Sequence, residues 1–332
     1  MDLVSIPANP TPSNAVVASV TSAGGVKLRV ARWRPTAKKV RGTVYVLQGR
    51  AEFIEKYFEV IGELRRRGFH VVAFDWRGQG GSDRLLADPR KGHVDDFDDY
   101  VADLAAVMDA TAERPCPAPF FALAHSMGGA ILIRALQRKP DLVERAVLSA
   151  PMIEISGLRR PRRMHWLAAA LDVLGLGGAY IPGGGQTAVA TKPFATNPLT
   201  SDPARYGRTA AIIEEAPGLA LGDPTIGWVH AAFRAMEPFK DPNFPLQLPT
   251  PLLIVAGSAD AVTITAAAER FAARLKAGRA IVLPGAMHEL LVERDPVRSQ
   301  FWAAFDAFIP GAALTAAREA MARQGADAPA PA

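Results

Sequence analysis

The chain has 332 residues, of which 49% are hydrophobic and 21% are charged, and its formal net charge is +5. This composition is typical of a globular protein with a large core, and the sequence contains no apolar run long enough to span a membrane. A single cysteine, Cys116, excludes an internal disulfide framework, and the modest positive charge does not indicate a nucleic-acid partner.

The first fourteen residues, MDLVSIPANPTPSN, are rich in proline and polar residues, and we expect them to be flexible. They contain no basic region followed by an apolar stretch, which is the pattern of a secretory signal. We therefore expect a cytoplasmic protein. Because the net positive charge favours anionic lipid headgroups, peripheral contact with the inner face of the membrane stays open.

Two alternating segments follow at 15–20 and 26–32, separated by Ala-Gly-Gly, and they predict an antiparallel hairpin. Short, continuous apolar runs then recur along the chain. Strands that are apolar on both faces are typical of a parallel sheet covered on each side, so these runs predict such a sheet. The six runs lie at residues 43–47, 70–74, 120–124, 146–149, 252–256 and 280–283.

Segments with helical periodicity separate these runs, at 54–64, 97–108 and 297–308, and Gly68 lies where the first of these helices should end. The alternation of strands and helices predicts a doubly wound α/β domain around a mostly parallel, eight-stranded sheet.

The alternation stops at Pro151 and resumes at Pro251, and the residues between them are rich in proline and glycine. We interpret this part as a mainly helical cap that is inserted into the α/β core after the sixth strand. The predicted organisation is a flexible end at 1–14, a core at 15–151 and 250–322, a cap at 152–249 and a disordered tail at 323–332.

Ser126 lies in FALAHSMGGAIL, directly after a predicted buried strand and directly before a segment of small and apolar residues. A nucleophile elbow requires this context, because the sharp turn between strand and helix needs small residues two positions before and after the nucleophile. Gly128 meets this requirement and Ala124 nearly meets it. The short motif alone leaves a second interpretation open, a glycine-rich helix start that contains a serine.

A serine nucleophile also needs a base and an acid that orients the base, and in this architecture the acid precedes the histidine. Asp260 comes just after the fifth apolar run, and His288 comes just after the sixth. Residue type, order and placement at strand ends agree, so we predict a triad of Ser126, Asp260 and His288. This chemistry needs no metal ion and no organic cofactor.

An oxyanion hole should combine the backbone N–H of Met127 with an N–H from the loop after the first apolar run. In that loop, QGRAE, we assign the second donor to Arg50. Glu52 is either an internal bridge that holds the loop or a charge at the start of the next helix. Four side chains are candidates for substrate contact: Gln48, His125, Trp166 and Trp228.

Longer motifs resemble a known family. DWRGQGGS at 75–82 resembles the D-x-R-G-x-G-x-S loop of α/β-hydrolases. HSMGG, GSAD and MHELLVE resemble the branch that contains monoacylglycerol lipases and lysophospholipases, the serine aminopeptidase-type domain. QGRAEFIEKY, GHVDDFDDYVADL and NPLTSDPARY are most similar to bacterial lysophospholipases. Eukaryotic monoglyceride enzymes carry His-Gly where this chain has Gln48 and Gly49.

The resemblance covers nearly the whole chain and implies an α/β-hydrolase fold that hydrolyses carboxylic esters. The departure at Gln48 favours a lysophospholipid, or another single-chain acyl glyceride, as the substrate. A fold of this kind hosts several activities, so a monoacylglycerol lipase, a short-chain esterase, a proline-type peptidase and a non-catalytic binding protein remain alternatives.

Within the predicted cap, residues 157–178 combine a basic edge with an apolar face. This pattern is typical of a helix that lies on an anionic membrane surface. An ordinary cap helix with solvated arginines shows the same pattern and is the preferred alternative, since charge runs usually face water. The four arginines are Arg159, Arg160, Arg162 and Arg163.

Overall fold

The computed structural model describes residues 2–112, 116–156 and 161–309, apart from the side chains of residues 161–163. At its centre lies an eight-stranded sheet with the strand order β1-β2-β4-β3-β5-β6-β7-β8. The strands are β1 (Val16–Thr21), β2 (Lys27–Trp33), β3 (Thr43–Leu47), β4 (His70–Phe74), β5 (Phe120–His125), β6 (Arg145–Ser149), β7 (Leu252–Gly257) and β8 (Gly278–Leu283).

β1 and β2 form the predicted antiparallel hairpin, with Val16 opposite Arg32 and Thr21 opposite Lys27. β2 is also antiparallel to β4, and the remaining neighbours in the sheet run parallel. The six apolar runs correspond to β3 to β8, and every residue of β3, β4 and β7 is buried. The predicted mostly parallel, eight-stranded architecture is therefore confirmed, and burial on both faces explains why these strands show no alternation.

Helices cover both faces of the sheet, with α2, α3 and α7 on one face and α1 and α8 on the other. Gly68, just beyond α1, has a φ of 90°, a conformation in which glycine commonly ends a helix. No described helix has both the length and the apolar character that a membrane crossing needs. The helices are α1 (Phe58–Arg66), α2 (Phe97–Ala112), α3 (Met127–Arg138), α4 (Pro161–Leu171), α5 (Pro203–Glu215), α6 (Ile226–Met236), α7 (Thr265–Ala272) and α8 (Asp295–Phe308).

The described residues between β6 and β7 form α4, α5, α6 and short helical turns, and none of them joins the sheet. α6 packs against the α2 and α3 layer and buries Trp228 and Phe233 there. The interpretation of residues 152–249 as a cap over the core stays a prediction. The predicted disordered tail at 323–332 lies outside the described residues.

Residues 2–14 make contacts that their composition did not indicate. The buried Asn9 donates from Nδ2 to the carbonyl of Glu55 at 2.9 Å, and Val4 N donates to the Glu55 carboxylate at 3.0 Å. Trp33 Nε1 donates to Pro12 O at 3.1 Å. These bonds attach the segment to β2 and to the chain before α1, where the sequence led us to expect a free end.

Glu59 of α1 connects residues 152–249 to the sheet-covering helices. Its carboxylate accepts hydrogen bonds from Arg205 and Arg208 of α5 and from Arg298 of α8, at 2.5 to 2.9 Å. Burial opposes ionisation of this carboxyl, but the arginine hydrogen bonds outweigh it and lower the pKa of Glu59 to about 2. Ionised Glu59 therefore stabilises the contact between α1, α5 and α8.

We expect Glu59→Gln to make stability less sensitive to acid. Because the folded-state pKa lies below the ordinary value of 4.5, ionised Glu59 stabilises the fold above pH 4.5, and this contribution is lost as the pH falls towards 2. The free energy of unfolding at pH 7 should fall by about 2–3 kcal/mol, allowing for partial exposure. Urea unfolding between pH 7 and pH 3 measures this difference.

The exposed Glu144 provides the control, and Glu144→Gln should leave the pH dependence of unfolding unchanged. A difference between Glu59→Gln and the parent protein that stays constant from pH 7 to pH 3 would contradict the assignment.

Candidate active site

Ser126 occupies the sharp turn between β5 and α3. Its backbone has φ 48° and ψ −113°, and its N–H donates to Ser149 O of the neighbouring strand at 3.0 Å. A positive φ is uncommon for a residue with a side chain and marks a strained conformation that surrounding structure must enforce. This is the backbone geometry of a nucleophile elbow. It favours the elbow over the alternative of a glycine-rich helix start that merely contains a serine.

The residues around the elbow are small because three chain segments converge there. A Cβ at Gly128 would collide with the carbonyl oxygens of Leu47 and Gln48 at the end of β3. Ala124 is fully buried within β5, between Leu47 of β3 and Leu148 of β6. A methyl group fits at position 124, whereas only glycine fits at position 128.

His288 and Asp260 lie within hydrogen-bonding distance of Ser126 in a single chain of contacts. His288 Nε2 is 3.0 Å from Ser126 Oγ, and His288 Nδ1 is 2.8 Å from Asp260 Oδ2. Asp260 follows β7 and His288 follows β8, and these strands are parallel neighbours, so their carboxyl ends bring the two loops together. The structure thus assembles the three residues that the sequence singled out.

The environment of Asp260 keeps it ionised. Its side chain is sealed from solvent, and burial alone would disfavour the charge. Hydrogen bonds from His288 and Thr263 nevertheless lower the pKa of Asp260, and the backbone N–H groups of Val262 and Thr263 donate to its other oxygen at 2.7 and 2.9 Å. A fixed carboxylate of this kind holds the imidazole in one orientation and stabilises its protonated form.

The loop after β3 presents backbone N–H groups beside the elbow. Neither Arg50 N nor Met127 N donates to another group among the described residues, and Met127 begins α3, where N–H groups have no partner inside the helix. Gln79 holds the loop, since its Nε2 donates to Gly49 O at 2.9 Å and to Glu52 O at 3.1 Å. Both predicted donors thus lack an acceptor among the described residues, and their role as an oxyanion hole stays a prediction.

The side chains of Gln48, a candidate substrate contact, and of Arg50, a predicted backbone oxyanion donor, bond to residues outside the triad. Gln48 is fully buried and donates to Asp75 at 3.3 Å. The guanidinium of Arg50 donates to Gly222 O at 2.9 Å and lies 5.2 Å from the ring centre of Trp228. Burial without a contacting carboxylate in the described part of the chain lowers the pKa of Arg50 to about 10.

His125, Trp166 and Trp228 have three different environments. His125 is buried, its Nδ1 is 3.1 Å from Ser149 O, and burial lowers its pKa to about 4. Trp228 is buried against Phe97, whereas Trp166 is 76% exposed and stacks on His165. No contact among the described residues brings either tryptophan to the triad, so their roles as substrate contacts stay predictions.

A buried polar cluster beside the triad was not predicted as a whole. Glu52, His125 and Glu289 each offer a ligand atom within 4.8 Å of the others, as a metal site would require. The ammonium of Lys56 lies between the two carboxylates, 2.8 Å from Glu52 and 2.5 Å from Glu289. Of the two readings of Glu52, the internal bridge is therefore correct. The spacing of Glu52 and Lys56, four residues apart, was the only sequence signal.

A family model described as "Serine aminopeptidase, S33" matches residues 38–295. The chain belongs to this family. Lysophospholipase L2 of Escherichia coli (strain K12) is 35% identical to this chain over 297 residues, which cover 85% of this chain and 84% of that protein. A probable lysophospholipase L2 of Haemophilus influenzae is 32% identical over 259 residues, which cover 78% of this chain and 80% of that protein. The predicted family resemblance is confirmed, and the protein is a carboxylic ester hydrolase.

Solved structures agree on the fold. A soluble variant of monoglyceride lipase from Saccharomyces cerevisiae superimposes with a TM-score of 0.68 at 18% identity and covers 90% of this chain and 96% of its own. A carboxyl esterase from Bacillus coagulans has a TM-score of 0.71 at 19% identity, and the match covers 90% of this chain and 100% of the esterase. At these identities the likeness concerns architecture alone, and it confirms the predicted α/β-hydrolase fold.

Proposed function

We propose that this S33-family hydrolase cleaves the carboxylic ester of a single-chain acyl lipid, most specifically a lysophospholipid. The observation that carries the proposal is the chain of hydrogen bonds from Ser126 through His288 to the buried Asp260. Such a chain activates a serine for attack on a carbonyl. The relatives named lysophospholipase L2, which this chain matches over most of its length, support the choice of substrate.

In the first half of the reaction, His288 Nε2 takes the proton of Ser126 Oγ as that oxygen attacks the ester carbonyl. The carbonyl oxygen becomes an oxyanion, and the N–H groups of Arg50 and Met127 donate to it. Asp260 stabilises the imidazolium of His288. When the tetrahedral intermediate collapses, the proton passes to the leaving alcohol, and the acyl group stays on Ser126.

In the second half, water replaces the alcohol. His288 takes a proton from the water as its oxygen attacks the acyl-enzyme, and the same N–H groups hold the second oxyanion. Collapse returns the proton from His288 to Ser126 Oγ and releases the fatty acid. Each proton that leaves a nucleophile is thus returned to a leaving group.

A substrate comparison tests this assignment against its alternatives. Lysophosphatidylethanolamine, a monoacylglycerol of equal chain length, a short p-nitrophenyl ester and a prolyl peptide should be compared by kcat/KM. The proposal expects the lysophospholipid to rank first. Preference for the monoacylglycerol, the short ester or the peptide would establish the corresponding alternative, and no turnover of any of them would favour a binding protein.

We also propose that residues 161–176 contact an anionic membrane surface. Trp166, Val173 and Leu174 are 76%, 86% and 73% exposed, which is unusual for large apolar side chains lying close together in sequence. The predicted basic edge lies outside the described residues. The structure describes neither Arg159 and Arg160 nor the side chains of Arg162 and Arg163. An exposed apolar surface that follows four arginines in the sequence suits lipid headgroups and acyl chains.

Replacing Trp166, Val173 and Leu174 by serine should weaken sedimentation with phosphatidylglycerol vesicles by at least about tenfold, because the apolar area available for burial is lost. Replacing the four arginines by alanine should weaken binding to these vesicles but not to phosphatidylcholine vesicles. Val40→Ser, at an exposed site in the loop before β3, is the control. Unchanged sedimentation of both variants would exclude this surface.

A further inference from the structure

Lys56 joins two loops that carry different parts of the proposed catalytic machinery. Its ammonium lies between the carboxylates of Glu52 and Glu289, and all three side chains are less than a tenth exposed. Glu52 ends the loop that contains Arg50, and Glu289 directly follows His288. A single buried cation thus contacts a nearby loop and a second loop whose Glu289 lies 233 residues further along the chain than Lys56.

The Glu52 end of this bridge acts on the oxyanion loop. Glu52 Oε2 accepts hydrogen bonds from Gly49 N and from Tyr57 OH, the latter at 2.6 Å. On the other side of the same residue, Gln79 donates to Gly49 O, which belongs to the peptide group that carries the N–H of Arg50. Displacement of Glu52 would therefore rotate this peptide group and change the direction in which the N–H of Arg50 points.

The Glu289 end acts on the backbone beside the proposed base. Glu289 N donates to Leu199 O at 2.8 Å, and its carboxylate is held by Lys56 at 2.5 Å. The imidazole of His288 lies 4.9 Å from that of His125, whose Nε2 is 3.9 Å from Glu52. The loops of Glu52 and His288 therefore meet around one ammonium group.

Charge makes Lys56 hard to replace. Burial raises the pKa of Glu289, while Lys56 outweighs burial at Glu52 and lowers the pKa of that carboxyl to about 2. Without the ammonium, two buried carboxyl groups would face each other at a distance where like charges repel strongly. One of them would have to take up a proton, and the attraction that draws the two loops together would be lost.

We propose that Lys56 is a positioning residue. Through Glu52 and Glu289 it fixes the position of the Arg50 N–H relative to the imidazole of His288. This role rests on the proposed function, since it presumes that the two loops act on one carbonyl group. Lys56 itself touches neither the triad nor the reacting atoms.

Lys56→Met and Lys56→Arg test the proposal in the full-length protein with a short p-nitrophenyl ester. In Lys56→Met, kcat should fall by roughly 10²-fold while KM changes by less than about threefold, because misplaced groups affect the transition state more than ground-state binding. A trifluoromethyl ketone that forms a tetrahedral adduct should lose affinity by the same factor as kcat/KM. Lys56→Arg should recover most of kcat, since a guanidinium can bind both carboxylates.

Arg67→Met is the matched control, because it also removes a largely buried cation that bridges two acids, Glu63 and Asp306, on α1 and α8. This variant should lower stability and leave kcat unchanged. If Lys56→Met does not fold, Glu289→Gln supplies the same readout, with a smaller fall in kcat at constant KM.

Retention of kcat within about threefold in Lys56→Met, or equal losses in Lys56→Met and Lys56→Arg, would overturn the positioning role while the proposed function stands. Wild-type protein that neither turns over the ester nor binds the ketone would overturn the proposed function, and the role of Lys56 with it.

Discussion

Ser126→Ala should reduce the kcat of ester hydrolysis by roughly 10⁵–10⁶-fold, which is the effect of removing the nucleophile from a serine triad. Without Oγ, His288 has no hydroxyl to deprotonate, and an acyl-enzyme cannot form. The thermal unfolding midpoint should stay within a few degrees of the parent value, because the change removes only the side-chain oxygen atom and leaves the backbone as it is. Initial rates with a p-nitrophenyl ester measure the effect.

Ser19→Ala, at an exposed position of β1, is the control for a serine that lies away from the elbow, and it should retain full activity. A Ser126→Ala protein that keeps more than about 1% of the parent kcat would show that another group performs the attack.

Arg29→Met should cause the largest loss of stability. The guanidinium of Arg29 donates to both oxygens of Glu55 at 2.8 Å and to Asp75 at 2.7 Å, and all three side chains are sealed from solvent. Removing the cation leaves two buried carboxylates unpaired, which costs about 3–5 kcal/mol. Asp75 also accepts Ile54 N at 2.9 Å, so the chain after the oxyanion loop should loosen as well. Urea unfolding measures the free-energy difference.

The control is Arg66→Met, because Arg66 pairs with Glu63 at 2.8 Å but is 61% exposed. Loss of this pair should change the free energy of unfolding by less than about 1 kcal/mol. Equal effects of the two substitutions would show that the buried cluster of Arg29, Glu55 and Asp75 does not stabilise the fold more than a surface pair.

The strands and the site residues were predictable for the same reason. Runs that are buried on both faces leave an unbroken apolar signature, so β3 and β4 begin and end where the sequence predicted. Parallel strands place their carboxyl ends at one edge of the sheet, and this rule located Asp260 and His288 once Ser126 had been found. Placement at strand ends, more than the short serine motif, led to the proposed site.

Contacts between distant side chains could not be predicted. Nothing in the sequence pairs Lys56 with Glu289 or Arg50 with Trp228, because such contacts depend on how two loops and a helix approach each other in space. The motif at 75–82 was recognised only by resemblance, and the structure supplies its physical basis. Asp75 neutralises Arg29 and Arg77 pairs with Asp103, so the motif builds a buried polar junction under the oxyanion loop.

The most direct test of the proposed mechanism is to treat the folded protein with a fluorophosphonate and to map the modified peptide by mass spectrometry. A serine activated by His288 and Asp260 should react once, and the adduct should lie on Ser126. Absence of an adduct on folded protein, or an adduct on a different residue, would contradict the assignment of Ser126 as the nucleophile.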